Sequence, residues 1–135
     1  VESVLKSLSV EKIGFMNGEE FGTKNVVYIL MRTELFPGKV LKLRDMAVKE
    51  GADGAVLGVL SGRSFVLPPG NENLCKYTPH FCSGVLPQNM DVETPLSLIA
   101  VFGEKKGKIV QGLLSMLLSE YSPWKAILEE SLEHL

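Results

Sequence analysis

The chain has 135 residues and a formal net charge of -2 at pH 7, with 45% hydrophobic and 22% charged residues. This length is typical of one domain with a substantial core, so we expect a single globular domain over residues 1–135. The composition excludes a disordered chain. The nearly balanced charge excludes a global field that would attract nucleic acid or acidic lipid, so any such attraction must be local.

Apolar runs and cysteines bear on the cellular setting. The longest mostly apolar run, residues 109–118, contains a glutamine, a glycine and a serine and is too short to span a bilayer. The first residues carry no basic, apolar leader. Only two cysteines occur, fewer than a small disulfide-stapled secreted domain carries. We therefore expect no membrane association, a reducing compartment, and a cytoplasmic or otherwise intracellular location.

The first third of the chain predicts a hairpin with a buried strand. Residues 2–9 suit a short helix, and residues 12–16 suit a strand. The dipeptide Asn17-Gly18 accepts positive φ at both positions of a two-residue hairpin turn. Residues 25–33 are rich in β-branched and aromatic types, which predicts a strand covered on both faces.

The middle of the chain predicts a helix followed by a second hairpin. Residues 39–50 place apolar side chains on one helical face, and Gly51 follows where a left-handed cap favours glycine. Residues 54–60 and 64–67 read as two strands of a hairpin. Residues 68–73 contain two prolines, a glycine and two asparagines, which is typical of a loop.

The last part of the chain predicts two more strands and two helices. Residues 80–86 and 95–102 are strand candidates, whereas residues of about 108–121 and 123–134 show helical spacing. The sequence therefore predicts an α+β fold with a mixed or mainly antiparallel sheet of five or six strands. One central helix and two consecutive C-terminal helices would pack against that sheet.

A lysine-rich turn is the first candidate binding site. Gly103, Lys105, Lys106, Gly107 and Lys108 lie between a predicted strand and a predicted helix, which is the setting of a phosphate-binding loop. The nucleotide P-loop is not met, because three residues instead of four separate the glycines and an isoleucine follows the lysine. Lysines at a helix N-terminus oppose the helix dipole, and an anionic ligand, a nucleic-acid backbone or an acidic partner would relieve this.

The alternative for this turn is structural and is the one that we favour. Residues 108–112 would then extend a strand, and the lysines would form a solvated, charged hairpin turn.

Cys75, His80 and Cys82 form the second candidate site. If residues 80–82 are extended, His80 and Cys82 project from the same face of a strand. His80 could activate a nucleophilic Cys82, or the three residues could begin a zinc site. Zinc sites use tighter pairs and a fourth ligand, and the other histidine lies next to the last residue. We favour a structural role without catalysis or metal.

The last predicted helix is a candidate interface. Trp124, Ile127, Leu128 and Leu132 share one face of it, and Trp124 is the one tryptophan of the chain, a residue type enriched at interface centres. This face could dock on a partner protein or on a second copy. The alternative that we favour is that it closes the core of its own domain over the sheet.

Few standard catalytic constellations can be assembled from two histidines and two cysteines without a phosphate motif. We therefore predict a non-catalytic binding or protein-interaction domain, which could serve regulation, with a protein partner or self-association and with no cofactor. The alternative is a small enzyme or ligand-binding protein for an anionic, phosphorylated molecule at the lysine-rich turn. A local basic patch would also allow nucleic acid to bind. Whether the chain is an enzyme stays open.

Overall fold

The computed structural model describes residues 10–32, 40–67, 70, 72–86 and 96–120. The strands in this part of the chain are β1 (Val10–Asn17), β2 (Asn25–Met31), β3 (Gly54–Ser61), β4 (Ser64–Leu67), β5 (Glu72–Asn73) and β6 (Ser97–Gly103). The helices are α1 (Val40–Lys49), α2 (Leu74–Tyr77), α3 (Pro79–Val85) and α4 (Lys106–Glu120), with a 3-10 turn at Glu19–Phe21.

The six strands form one antiparallel sheet in the order β1-β2-β6-β3-β4-β5. β6 lies between β2 and β3 and is antiparallel to both, so β2 and β3 run in the same direction. Two parallel strands need a crossover connection, and α1 lies in the one that joins these two. The structure thus confirms an α+β fold with a mainly antiparallel sheet.

One face of the sheet carries α1 and α4. Residues of alternate positions in β2, β6 and β3 point to this face, as the strand period of two requires. They pack with the buried side of both helices in one apolar core, formed by Val27, Ile29, Met31, Val40, Leu43, Ala47, Ala55, Leu57, Ile99, Val101, Ile109, Leu113, Met116 and Leu117, among others.

The opposite face carries α2 and α3, and Phe65 of β4 points to it. Its core contains the other set of alternating positions from β2 and β6, together with side chains from the short helices: Val26, Tyr28, Leu30, Phe65, Leu74, Phe81, Cys82, Val85, Leu98 and Ala100. Because β2 and β6 bury side chains on both faces, they read in the sequence as continuous apolar runs without alternation.

The strands predicted at 25–33 and 95–102, the hairpin at 54–67 and the helices at 39–50 and 108–121 are confirmed. Gly51 has the positive φ, 103°, that its predicted place after the helix favours. Helices predicted at 2–9 and 123–134 lie outside the described residues. Among the described helices, none is long and apolar enough to cross a membrane.

Three local predictions are wrong. Residues 80–86 are mostly helical, because Pro79 occupies the first turn of α3 and the Glu20 carboxylate accepts hydrogen bonds from the first N–H groups. The sixth strand is instead β5, inside the predicted loop. Asn17-Gly18 does not form a two-residue turn, since Gly18 has a φ of -91° and residues 18–24 connect the two strands.

Candidate functional site

The strand β3 has an open edge over its first half. β4 pairs only with Val59, Leu60 and Ser61, and among the described residues no strand pairs with residues 54–58 on that side. The sequence explains why β4 stops at Leu67, since Pro68 and Pro69 follow and lack the N–H that a continuing ladder needs.

The hydrogen bonds of β3 show which of its backbone N–H and C=O groups point toward this edge. Leu60 donates its N–H to the carbonyl of Leu96 at 2.8 Å, on the β6 side. Backbone groups of successive residues point alternately to the two sides of an antiparallel strand. Even-numbered residues of β3 therefore bond toward β6. The N–H and C=O groups of Ala55 and Leu57 point away from it, toward the side on which no described strand pairs with them, and both residues are only 2% exposed.

One groove lies between this edge and α1. Its volume is about 330 Å³. Leu41 and Val48 are 70% and 50% exposed, and they stand two turns apart on one side of α1. The groove is lined by Leu41, Arg44, Asp45, Val48, Asp53, Gly54, Ala55, Val56 and Phe102. It thus combines apolar side chains with three charged groups beside a row of backbone donors and acceptors.

A second groove of about 280 Å³ continues along the same edge toward β4 and β5. Arg44, Ala55 and Val56 line both grooves. The remaining lining residues are Val40, Leu57, Leu67, Gly70 and Glu72. The two grooves adjoin at the three shared residues, and we call the pair the β3 trough. Its shape and backbone groups suit an extended polypeptide.

Gly54 lacks a side chain, which leaves room for the Phe102 ring beside the β3 trough. A Cβ atom at this position would lie 2.7 Å from the Phe102 ring, closer than van der Waals contact allows. Asp53, which precedes it, donates its backbone N–H to the Phe102 carbonyl at 2.9 Å and accepts from the Thr23 hydroxyl at 3.1 Å. These bonds hold this end of the β3 trough in place.

The lysine-rich turn is a strand-to-helix connection. β6 ends at Gly103 and α4 begins at Lys106, so the alternative in which residues 108–112 extend a strand is wrong. Gly103 is required by packing, because a Cβ there would lie 2.9 Å from the Ile109 side chain and 3.3 Å from the Asp53 nitrogen. Gly107 has open space around it.

The lysines of this turn diverge. The Lys106 ammonium lies 5.4 Å from the centre of the Phe15 ring, on the β1 side of α4. The aliphatic stem of Lys108 lies over Gly51, at the end of α1 and on the other side. Lys105 precedes the helix and is exposed. Two of the three predicted ligand-binding lysines therefore lean away from each other and do not converge on a common point.

The cysteine and histidine cluster is a disulfide beside an exposed histidine. Cys75 and Cys82 are joined by a disulfide, so in this structure neither can act as a thiolate nucleophile or a zinc ligand. Cys82 is buried and His80 is exposed. Their predicted common face depended on an extended strand, whereas two positions apart on α3 they project in nearly opposite directions. No group of three metal-binding side chains occurs among the described residues.

Disulfides are typical of oxidising compartments and of intracellular proteins from hyperthermophiles. The reducing, intracellular setting therefore stays a prediction. Trp124, Ile127, Leu128 and Leu132, the predicted interface, lie outside the described residues.

Residues 21–119 match the family model described as a domain of unknown function, DUF4443. The chain belongs to this family. The matched range contains α1 and β3, so both walls of the β3 trough lie within the family domain.

A hypothetical protein, PH0730 from Pyrococcus horikoshii OT3, is similar in structure. It shares 18% sequence identity and a TM-score of 0.68, over 95% of this chain and 67% of that one. At this identity, the similarity shows a common fold and nothing more. No curated protein matches the sequence.

Sequence reasoning missed the β3 trough. Two signals could have located it. Leu41 and Val48 are apolar residues outside the buried stripe of α1, and Pro68-Pro69 ends β4 two residues short of covering Val56. Neither signal identifies a site from the sequence alone, because only the fold places α1 beside the edge of β3.

Proposed function

We propose that this domain is a non-catalytic protein-interaction domain that binds an extended segment of a partner protein in the β3 trough. The observation that carries the proposal is the unpaired edge of β3, where the backbone groups of Ala55 and Leu57 point away from β6 beside the two grooves. Both residues are 2% exposed, so an added strand would have to displace the side chains that cover them. An extended peptide adds to such an edge as an extra strand, with its main-chain hydrogen bonds supplying affinity.

Side-chain pockets on the two sides of the added strand would supply specificity. Alternate residues of a strand point to opposite faces, so every second residue of the peptide would face α1. There it meets Leu41 and Val48, which favour an apolar side chain. Arg44 would attract an acidic residue in the middle of the segment, and Asp53 a basic residue near its end.

A display library of random linear peptides, selected on the full chain, tests this proposal. Selected peptides should be extended and carry apolar residues at a spacing of two. Val48→Asp and Leu41→Asp place a charge in the groove, and each should weaken binding at least about tenfold, which corresponds to roughly 1.4 kcal/mol. Both positions are exposed, so thermal stability should change little.

Tyr77→Asp is the matched control. Tyr77 is 64% exposed and lies on α2, outside the β3 trough. Its substitution should leave peptide binding unchanged. The proposal fails if no peptide is enriched, or if enriched peptides bind Val48→Asp as tightly as the unmodified chain.

An anion-binding role at the lysine-rich turn is the second candidate. The observation in its favour is that Lys106 and Lys108 lie in the first turn of a 15-residue helix, where backbone N–H groups and the dipole attract negative charge. The divergence of these two side chains speaks for a weak, distributed site. Titration with inorganic phosphate and with a short RNA should then show binding that a Lys105, Lys106 and Lys108 triple substitution to Ala abolishes.

A further inference from the structure

β1 is an edge strand of the sheet. It pairs with β2 on one side, and no described strand pairs with it on the other. The strand is eight residues long and contains no proline. Its apolar side chains Ile13 and Phe15 are 47% and 50% exposed. A long, apolar edge of this kind is a template for the addition of another strand.

The hydrogen bonds beside β1 show which of its backbone groups point outward. Gly18 donates its N–H to the Lys24 carbonyl at 3.1 Å, on the side of β2. The pairing with β2 is regular over residues 12–17. Backbone groups of successive residues point alternately to the two sides of an antiparallel strand. The N–H and C=O groups of Ile13 and Phe15 therefore point away from β2.

The devices that usually prevent edge pairing are weak in β1. A lysine on an edge strand discourages pairing when its charge projects across the edge. The Lys12 ammonium instead donates to the Gly84 carbonyl of α3 at 2.9 Å, back over its own sheet. The register shift in β1 lies between Val10 and Lys12, at one end of the strand. Residues 12–17 thus form a regular edge.

One antiparallel register matches β1 with a second copy of itself. When Gly14 of one copy lies opposite Gly14 of the other, Ile13 of each copy faces Phe15 of the other. The outward backbone groups of these residues then form hydrogen-bonded pairs. Lys12 faces Met16 in this register, so no like charges lie opposite each other. Each exposed apolar side chain meets an apolar partner, which stabilises a pair of strands.

The neighbouring registers match less well. An axis through Ile13 would place Phe15 opposite Glu11, and an axis through Phe15 would place Ile13 opposite Asn17. In both cases an apolar side chain loses its apolar partner across the strands. The side chains of β1 therefore favour the register centred on Gly14.

Charge complements the same register. Asn17 lies at the end of the sheet where α4 begins, because Asn25 pairs with Asn17 on one side and with the last residue of β6 on the other. The Lys106 ammonium leans to the β1 side at this end. In the Gly14 register, Glu11 of the second copy lies opposite Asn17. Glu11 pairs with Arg32 of its own chain, yet its side chain is 43% exposed. Each copy thus brings a carboxylate to the lysine-rich turn of the other.

We propose that a second copy of this chain pairs with the first along β1, about a two-fold axis through Gly14. Such a two-fold contact uses the same surface on both copies and joins the two six-stranded sheets into one. The pairs of Ile13 with Phe15 and their backbone hydrogen bonds hold the interface, and Glu11 approaches Lys106 across it. The β3 trough lies on the other side of β2 and β6, so this pairing is independent of peptide binding.

Light scattering of the full chain over a concentration series tests the pairing. It should report the mass of a dimer that dissociates on dilution. Ile13→Lys and Phe15→Lys each place an ammonium group opposite an apolar side chain and near Lys106, and each should raise the dimer Kd at least about tenfold. Circular dichroism should stay unchanged, because both positions are about half exposed. Leu41→Lys, an apolar position of α1 that is 70% exposed, is the matched control and should leave the dimer intact.

A spin label at position 17 reports the register. Asn17→Cys places a thiol on an exposed residue, and both natural cysteines are joined in the disulfide. With the axis at Gly14, the two labelled Cα atoms lie about 21 Å apart, from a rise of about 3.4 Å per residue and a strand spacing of about 4.8 Å. An axis at Ile13 gives about 28 Å, and an axis at Phe15 gives about 14 Å. Double electron–electron resonance distinguishes the three distances.

Three outcomes overturn the proposal. A monomer at every concentration means that the edge of β1 stays unpaired or is covered by the chain itself. A dimer that persists in both lysine variants uses another surface. A distance near that of either neighbouring register means that the axis does not pass through Gly14.

Discussion

The Glu20 carboxylate lies 2.6 Å from the backbone nitrogen of Phe81, and it also accepts a hydrogen bond from the His80 N–H at 3.1 Å. Glu20 belongs to the loop of the β1–β2 hairpin, so this contact joins residues 60 positions apart. It places a negative charge at the N-terminus of α3, where the helix dipole favours one.

Replacing Glu20 with alanine should destabilise the domain by about 1 kcal/mol, because the first N–H groups of α3 lose their acceptor. For a chain of this size, the thermal midpoint should fall by roughly 4 °C. Differential scanning calorimetry measures this. Glu19→Ala is the matched control, since the Glu19 side chain is exposed and only its backbone N–H bonds to Asn17. Equal losses in both variants would show that the Glu20 contact is not stabilising.

Reduction of the Cys75–Cys82 disulfide should lower the free energy of unfolding by roughly 2 to 3 kcal/mol, because a short closed loop restricts the unfolded chain. Urea denaturation with and without a reductant measures the difference. The double Cys75→Ser, Cys82→Ser variant should match the reduced protein and be insensitive to reductant. Alkylation of the untreated, unfolded protein provides the check: two labelled thiols would mean that the disulfide does not form.

The two glycines of the lysine-rich turn should respond to substitution in opposite directions. Gly103→Ala should destabilise by about 1 to 3 kcal/mol, because the added Cβ meets the buried Ile109 side chain and the Asp53 backbone. Gly107→Ala should stabilise by roughly 0.5 kcal/mol, since it lies in a helix with open space around it. Chemical denaturation of the two variants and of the unmodified chain measures these changes in the free energy of unfolding. A loss of stability at Gly107 would contradict this account.

Amide exchange along β3 should alternate. Val56 and Gly58 belong to the residues that bond toward β6, so their amides should be protected. The amides of Ala55 and Leu57 point to the side on which no described strand accepts their hydrogen bonds, so they should exchange faster by an order of magnitude or more. Native-state hydrogen exchange followed by NMR resolves the four positions. Uniform protection would mean that another part of the chain covers the edge, and the proposed peptide site would then be lost.

Hydrophobic period and turn chemistry were sufficient for the long elements. The apolar run of β2, the one-sided pattern of α1 and the Ser-Gly-Arg turn between β3 and β4 are each decided by nearby residues, so each was predicted. The helical structure of residues 80–86 was not predicted. Its residues suit a strand, and the cap that makes it helical comes from Glu20, which no local pattern indicates.

The candidate sites also depend partly on nearby residues and partly on residues far away in the chain. Lys105, Lys106 and Lys108 lie at the start of a helix, as the first interpretation of this turn predicted, whereas the hairpin turn that we favoured is wrong. The divergence of these lysines depends on Phe15 and Gly51, which lie on other elements. The disulfide depends on a turn between α2 and α3 that brings two cysteines seven residues apart into contact.

By itself, the sequence determined the α+β class, the buried central strands and the main helices, because buried strands and amphipathic helices produce recognisable patterns among neighbouring residues. Only the tertiary structure decided that no described strand pairs with the first half of β3 beside α1, and that Ile13 and Phe15 are about half exposed at the end of the core. Those features arise from strand order and from the positions of the described helices above the sheet, which bring together residues far apart in the chain.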